Sequence, residues 1–330
     1  MAQKKLKAIV TGGAGFIGSN LVDYLLEKKF QILVIDNFET GRLENLKNSI
    51  NSIKIIKKDI SQYNQIEKYF KGYDYVFHLA ALADIVPSIE NPDKYFNTNV
   101  NGTLNILRAA AKYNIKKVIY AASASCYGVV KKFPTDEHSK IMTEYPYALT
   151  KNIGEKLLFH WSKVYNVSAI SLRLFNVYGL RSRTTGAYGA MFGVFLAQKI
   201  KNKPLTIVGD GTQSRDFVFV KDVAKAFYLS AKSKIFSDVF NVGTGVPTSV
   251  NYIAKKLGGN KVNIPKRPGE PDKSQANIKK IKKKLKWKPT ITIDQGINIL
   301  KQNINDWKKA PVWTPSKISK KTKKWFKYLK

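Results

Sequence analysis

Acidic residues are what this sequence has little of: 23 Asp and Glu stand against 57 Lys and Arg in 330 residues, a formal net charge of +34. That balance excludes an acidic, solvating chain and creates a field that attracts anionic substrates, nucleic acid or anionic lipid. The excess is uneven, since residues 251–330 hold 23 basic and 4 acidic side chains. Lysines solvated on helix faces, in a proteome rich in Lys, Ile and Asn, explain it without a macromolecular partner, and no specific nucleic-acid partner is expected. Cysteine is nearly absent. Cys126 has no second thiol to pair with, which excludes an internal disulfide and fits a reducing compartment. The three histidines, His78, His138 and His160, show no ligand spacing, so no metal site is expected. No apolar run approaches the roughly 18 residues of a membrane span, and Met1–Lys7 shows no signal-peptide pattern, so a cytoplasmic location is expected. An apolar content of 44% suffices for one large core or two smaller ones.

What is present begins with Thr11-Gly12-Gly13-Ala14-Gly15-Phe16-Ile17-Gly18, which follows the apolar run Ala8-Ile9-Val10 and opens onto a helical pattern, Ile17, Leu21, Leu25. Gly12, Gly15 and Gly18 permit a tight turn, close approach to a pyrophosphate and close packing of helix on strand. The N–H groups and positive dipole end of the helix favour the anion. Asp36 ends the next apolar run, Ile32–Ile35, where an acid for a ribose hydroxyl is expected, so a dinucleotide is the expected ligand.

Three further strands are expected at Ile53–Lys57, Tyr75–Leu79 and Val118–Ala122, with a helix through Val100, Leu104, Leu107 and Ala111 between the last two. This alternation predicts a doubly wound parallel sheet with its ligand across the strands' carboxyl ends. Asp59, after the third strand, is placed either to accept from the adenine amino group or to cap a turn. Ala80 and Ala81 are small enough for a flat cofactor to lie against the backbone. His78, ending a buried strand, reads as a hydrogen-bonded structural residue. Past the fifth strand comes the polar cluster Ser123–Gly128, and Pro146 suits the first turn of a helix on which Tyr147 and Lys151 share one face.

The series Gly12-x-x-Gly15-x-x-Gly18, Asp36, Asp59, His78-Leu79-Ala80-Ala81, Asn99-Val100-Asn101-Gly102-Thr103, Ser123 and Tyr147-x-x-x-Lys151 resembles the extended short-chain dehydrogenase/reductases, more narrowly the nucleotide-sugar epimerase/dehydratase family. The likeness continues through Arg173–Gly179, Gly209–Phe217 and Arg267-Pro268-Gly269-Glu270. It implies a Rossmann-type α/β sheet, residues 1–175 and 216–262, with a smaller, discontinuous substrate domain, residues 176–215 and 263–310, and a basic tail at 311–330. It implies NAD, held by Gly12, Gly15, Phe16, Ile17, Gly18, Asp36, Asn37, Asp59, Ile60, Leu79, Ala80, Ala81, Asn99, Tyr147 and Lys151. A UDP-sugar substrate would meet Ser125, Asn176, Val208, Arg215, Arg267 and Ser274, the two arginines on its diphosphate. The family also implies a homodimer, pairing the helix after Asn99 with the Tyr147 helix. The tail, with Ile318, Thr322, Trp325, Phe326 and Leu329 at roughly helical spacing, is expected to dock on the chain's own second domain; the other reading is weak attachment to an anionic membrane.

The chemistry implied is removal of a sugar 4-hydroxyl proton by Tyr147, with Ser123 hydrogen-bonded to the reacting oxygen and a 4-keto sugar as intermediate. A phenol titrates near 10, and bringing it to neutrality takes about 4 kcal/mol, which Lys151 and the positive nicotinamide ring are expected to supply. Family dehydratases carry an acid in the segment corresponding to Ser123–Gly128. This chain has none there, which favours a UDP-sugar 4-epimerase of surface-glycan precursor synthesis over a 4,6-dehydratase, with a non-catalytic polyanion binder less favoured. Ser274, small where some members carry tyrosine, is expected to leave room for a 2-acetamido group or a uronate.

Overall fold

The apolar runs become strands β1 (Lys7–Thr11), β2 (Gln31–Asp36), β3 (Ile53–Lys57), β4 (Tyr75–His78), β5 (Lys117–Ser123) and β6 (Ala169–Leu174) in the computed structural model, which describes residues 5–182 and 191–329. Outside the described residues lie Met1–Lys4, the stretch 183–190 of the expected substrate domain, and Lys330 of the tail. Beyond these strands come β7 (Asn176–Tyr178), β8 (Leu205–Val208), β9 (Ser214–Phe219), β10 (Ser237–Val242), β11 (Pro247–Ser249) and β12 (Lys261–Ile264).

Seven strands form one parallel sheet in the order β10-β6-β5-β4-β1-β2-β3. The chain crosses from β3 back to β4 beside β1, so the connections diverge there and leave a crevice at the carboxyl ends, where such sheets take their ligands. Helices cover both faces, which is why β5 and β6 are buried along almost their whole length and do not alternate between buried and exposed positions. The helix Phe16–Glu27 and the helix Val220–Lys232 pack on one face, and Gly102–Lys112 and Pro146–Tyr165 on the other.

A second, smaller core gathers Tyr178, Phe192, Phe195, Phe217, Phe219, Ile253, Ile297 and Trp307 around two short sheets, β11-β9-β7 and β12-β8. Asp222 ties it to the large sheet: its carboxylate accepts from Thr290 N–H, Thr290 Oγ1 and Ile291 N–H at 2.9, 2.6 and 3.0 Å. The segment then enters the helix Ile293–Gln302 through a capping box between Thr292 and Gln295.

The C-terminal stretch forms a helix, Pro315–Tyr328, with Thr314 as its N-cap. It packs on the short helix Ile85–Glu90, which follows β4, and also reaches the turn at Pro268. It therefore bridges both parts of the molecule instead of docking on the second alone, and Ile318, Thr322 and Trp325 are buried in doing so.

Candidate active site

The glycine loop is shaped by what it must touch. Gly12 lies at φ +69°, and a Cβ there would fall 2.6 Å from Ala80 N. A Cβ on Gly18 would come within 2.1 Å of the Gly12 carbonyl oxygen, so the first helix can seat on the loop only as glycine. The result is a helix N-terminus, capped by Gly15 without a side chain, opening into the crevice.

Asp36 ends β2 with its carboxylate accepting from Ala14 N–H at 2.9 Å and Phe38 N–H at 2.8 Å. Burial holds it above the usual carboxylate value despite those bonds. Asp59 accepts from Ser61 N–H at 2.8 Å and lies 3.4 Å from Asn37 Nδ2, so it caps a turn and faces the crevice at once. His78 is structural, as its position suggested: Thr11 Oγ1 and Thr103 Oγ1 lie 2.7 and 3.0 Å from its ring nitrogens, and burial lowers it to about 3.

One expectation needs correction. Asn99 does not line the cavity. Its amide donates to Leu82 O and Thr150 Oγ1, both at 3.0 Å, and accepts from Leu82 N–H at 2.8 Å. These bonds clamp the loop after β4 onto the Tyr147 helix.

At the end of β5, Ser123 Oγ lies 2.8 Å from Ser125 Oγ and beside the Tyr147 hydroxyl. Pro146 takes the first turn of the helix Pro146–Tyr165, setting Tyr147 and Lys151 one above the other toward the crevice. Gly154 on this helix admits the Tyr120 hydroxyl, which donates to Lys151 O at 3.2 Å; Lys151 Nζ sits 4.2 Å from the Tyr120 ring. One turn on, Glu155 accepts from Arg173 at 2.6 and 3.0 Å and from Ser171 at 2.7 Å, anchoring the helix to β6. Burial pushes Lys151 down to about 7, with Glu155 opposing, and lifts Tyr147 above its ordinary value, with Ser123 opposing. The protein alone thus disfavours both charges.

On the opposite wall, Glu270 accepts from Arg267 Nη1 at 3.0 Å and lies 3.7 Å from Arg215 Nη2. Ser274 is fixed by its N–H donating to Ser214 O at 3.0 Å. Asn176 and Val208 complete this wall, and the whole cavity is about 630 Å³. Every other residue named from the sequence for cofactor, substrate or catalysis lines it. Among the lining residues not foreseen are Asp84 before the short helix, Glu144 before Tyr145, and Ile318 from the C-terminal helix. No sequence pattern marks them, because each arrives from a loop or helix whose position is set by packing.

The cradle fits a dinucleotide: glycines where a Cβ would obstruct, an acid at the end of β2, and a wall of Leu79, Ala80 and Ala81. The profile of the NAD dependent epimerase/dehydratase family matches residues 8–243. The chain belongs to that family. A relative from Methanocaldococcus jannaschii, described as a putative UDP-glucose 4-epimerase, is 38% identical over 298 residues, 88% of this chain and 95% of the relative. A solved UDP-N-acetylglucosamine 4-epimerase from Methanobrevibacter ruminantium, in complex with UDP-N-acetylmuramic acid, superposes with a TM-score of 0.85 at 34% identity, covering 91% of this chain and all of that one. The UDP-glucuronic acid 4-epimerase of Bacillus cereus, solved with UDP-glucuronic acid and NAD, gives 0.84 at 30%, over 91% and 99% of the two chains. The family is NAD dependent and its Bacillus cereus member is solved with NAD; in this member Gly12, Gly15, Gly18, Asp36 and the Leu79–Ala81 wall are the residues that fit it.

Proposed function

We propose that this family member is a UDP-sugar 4-epimerase working through a 4-keto intermediate. The observation that carries the reading is the convergence of Ser123, Tyr147 and Lys151 on one cavity, beside a Ser123–Gly128 segment that contributes no carboxylate. NAD held by the glycine loop, Asp36 and the Leu79–Ala81 wall would supply the site with hydride transfer at C4. Tyr147 takes the 4-hydroxyl proton and gives it back, Ser123 holds the reacting oxygen, and Lys151 adds positive charge beneath the phenol. Asp36, already fixed by two backbone N–H groups, would accept both ribose hydroxyls and repel a 2′-phosphate, favouring NAD over NADP.

Arg215 and Arg267 would grip the diphosphate in exchange for Glu270, with the stretches 176–215 and 263–310 forming the substrate side. Ser274 would leave room for a 2-acetamido group. A 4,6-dehydratase would have to draw its acid from elsewhere in the cavity, whose lining includes Asp84, near Tyr147, and Glu144. Incubation with UDP-hexoses, UDP-N-acetylhexosamines and UDP-uronates, followed by product analysis, separates these outcomes. C4 epimers are expected; a 4-keto-6-deoxy product means dehydration, and no conversion of any sugar defeats the reading. Tyr147→Phe should lower kcat by about 10²- to 10⁴-fold with NAD retained. Ser274→Tyr should reduce kcat/KM for acetylated sugars by about tenfold or more. Unchanged preference removes Ser274 from specificity.

A further inference from the structure

The helix Pro315–Tyr328 has a sharply divided surface. Ile318, Thr322 and Trp325, spaced four and three apart, are buried, while Lys317, Lys320, Lys323, Lys324 and Lys327 are exposed. Its apolar side is occupied by protein. Trp325 is 0% exposed, packs with Val86, and donates its indole N–H to Pro268 O at 2.7 Å. The Arg267 guanidinium lies 5.7 Å from the Trp325 ring, and Lys321 pairs with Glu90 at 3.2 Å. Ile318 meanwhile lines the cavity.

Two segments that line the crevice are thus joined by one helix. One is the loop Leu79–Asp84 with the helix Ile85–Glu90, next to Tyr147. The other is the turn Arg267–Glu270, which carries an arginine of the diphosphate wall. We infer that Trp325 is a positioning residue for substrate: its ring and indole N–H fix Arg267 and the Pro268 turn, holding the nucleotide diphosphate while the sugar turns. The inference rests on the UDP-sugar reading for its ligand, and on no property of the cofactor.

A buried tryptophan that joins two segments will also steady the fold, so the test must separate positioning from stability. Full-length Trp325→Ala and Trp325→Phe, saturated with NAD, are titrated with UDP by calorimetry, alongside KM and kcat for the best UDP-sugar. The alanine variant should weaken UDP binding and raise KM about tenfold, as expected for a desolvated ring contact, with kcat changed by less than about threefold. The phenylalanine variant, keeping a ring without the donor, should fall between. UDP affinity within about twofold of wild type in the alanine variant overturns the assignment, as does a parallel loss of NAD affinity, which marks a merely structural role. If the alanine variant does not fold, the phenylalanine variant decides: weaker UDP binding with unchanged NAD binding supports positioning, and unchanged UDP binding overturns it. If wild type binds UDP yet converts no UDP-sugar, the epimerase reading fails while the UDP affinities still judge Trp325.

Discussion

Tyr147 and Lys151 are both enclosed, and burial acts on them in opposite directions for one reason: a low-dielectric wall disfavours the phenolate and the ammonium alike. For Lys151 this has a consequence for stability. The unfolded amine titrates near 10.5 and the folded one near 7, so below about pH 7 both states carry the proton and the fold bears the full cost of a buried cation. Between those values the unfolded chain binds more protons than the folded one, and stability rises with pH. Replacing Lys151 with methionine, of similar length and uncharged, should therefore raise the melting temperature at about pH 6 and lose most of that advantage by about pH 10. Calorimetric melts at the two pH values check it; an equal increment at both would show that the charge is not what the fold resists. Activity should be lost in the same variant, which would place the cost of that charge at the site that uses it.

At the scale of elements, the glycine loop and its helix behave as one part. Gly18→Ala would put a methyl group 2.1 Å from Gly12 O, a backbone atom that cannot swing aside. The first helix must then lift from the loop, and the expected result is a loss of about 1–3 kcal/mol in stability. NAD affinity should fall about tenfold or more with it. Titration calorimetry and thermal melts measure both, and an alanine variant with wild-type NAD affinity would remove the close approach from the account of binding.

The same loop shows why some elements are readable in sequence and others are not. β3 matches the expected span Ile53–Lys57, because an apolar run bounded by polar residues has few alternatives. β6 was not marked as a strand from its own pattern: Ser171 and Arg173 interrupt it, and they are buried only because Glu155 meets them from the Tyr147 helix. Asn99 was assigned to the cofactor by the motif it sits in, yet its two hydrogen-bonding ends are both consumed by neighbouring elements.

In the whole molecule, the Tyr147 helix has a second face. Leu149 is 37% exposed and Val164 55%, with Ile153 partly exposed between them, along the side turned away from the sheet. These apolar side chains share that side with the exposed Lys156 and His160, a mixed face that suits self-association through a twofold axis. A homodimer is expected by light scattering at micromolar concentration, and Leu149→Lys with Val164→Lys should shift it to monomer while leaving NAD binding in place. A monomeric wild type would count against the pairing. For the C-terminal helix, the buried Ile318, Thr322 and Trp325 leave an outward side dominated by lysines, with Ser316, Ser319 and Tyr328 among them, so any attraction to an anionic surface is electrostatic and should vanish at high salt. Among the described residues, no helix is long and apolar enough to cross a membrane.

The sequence by itself determined most of the sheet, the dinucleotide cradle and the shared helix face of Tyr147 and Lys151, because each depends on local rules: apolar runs make strands, close approach demands glycine, and a four-residue spacing aligns two side chains on a helix. It also marked the arginines and Ser274 through motifs. Only the tertiary structure decided that Asp84 and Glu144 enter the cavity, that Asn99 serves the wall instead of the ligand, and that Trp325 reaches from the end of the chain to the turn at Pro268. Those placements arise from packing between segments far apart in sequence, where a residue's role is set by what burial brings beside it, and no local pattern encodes that neighbour.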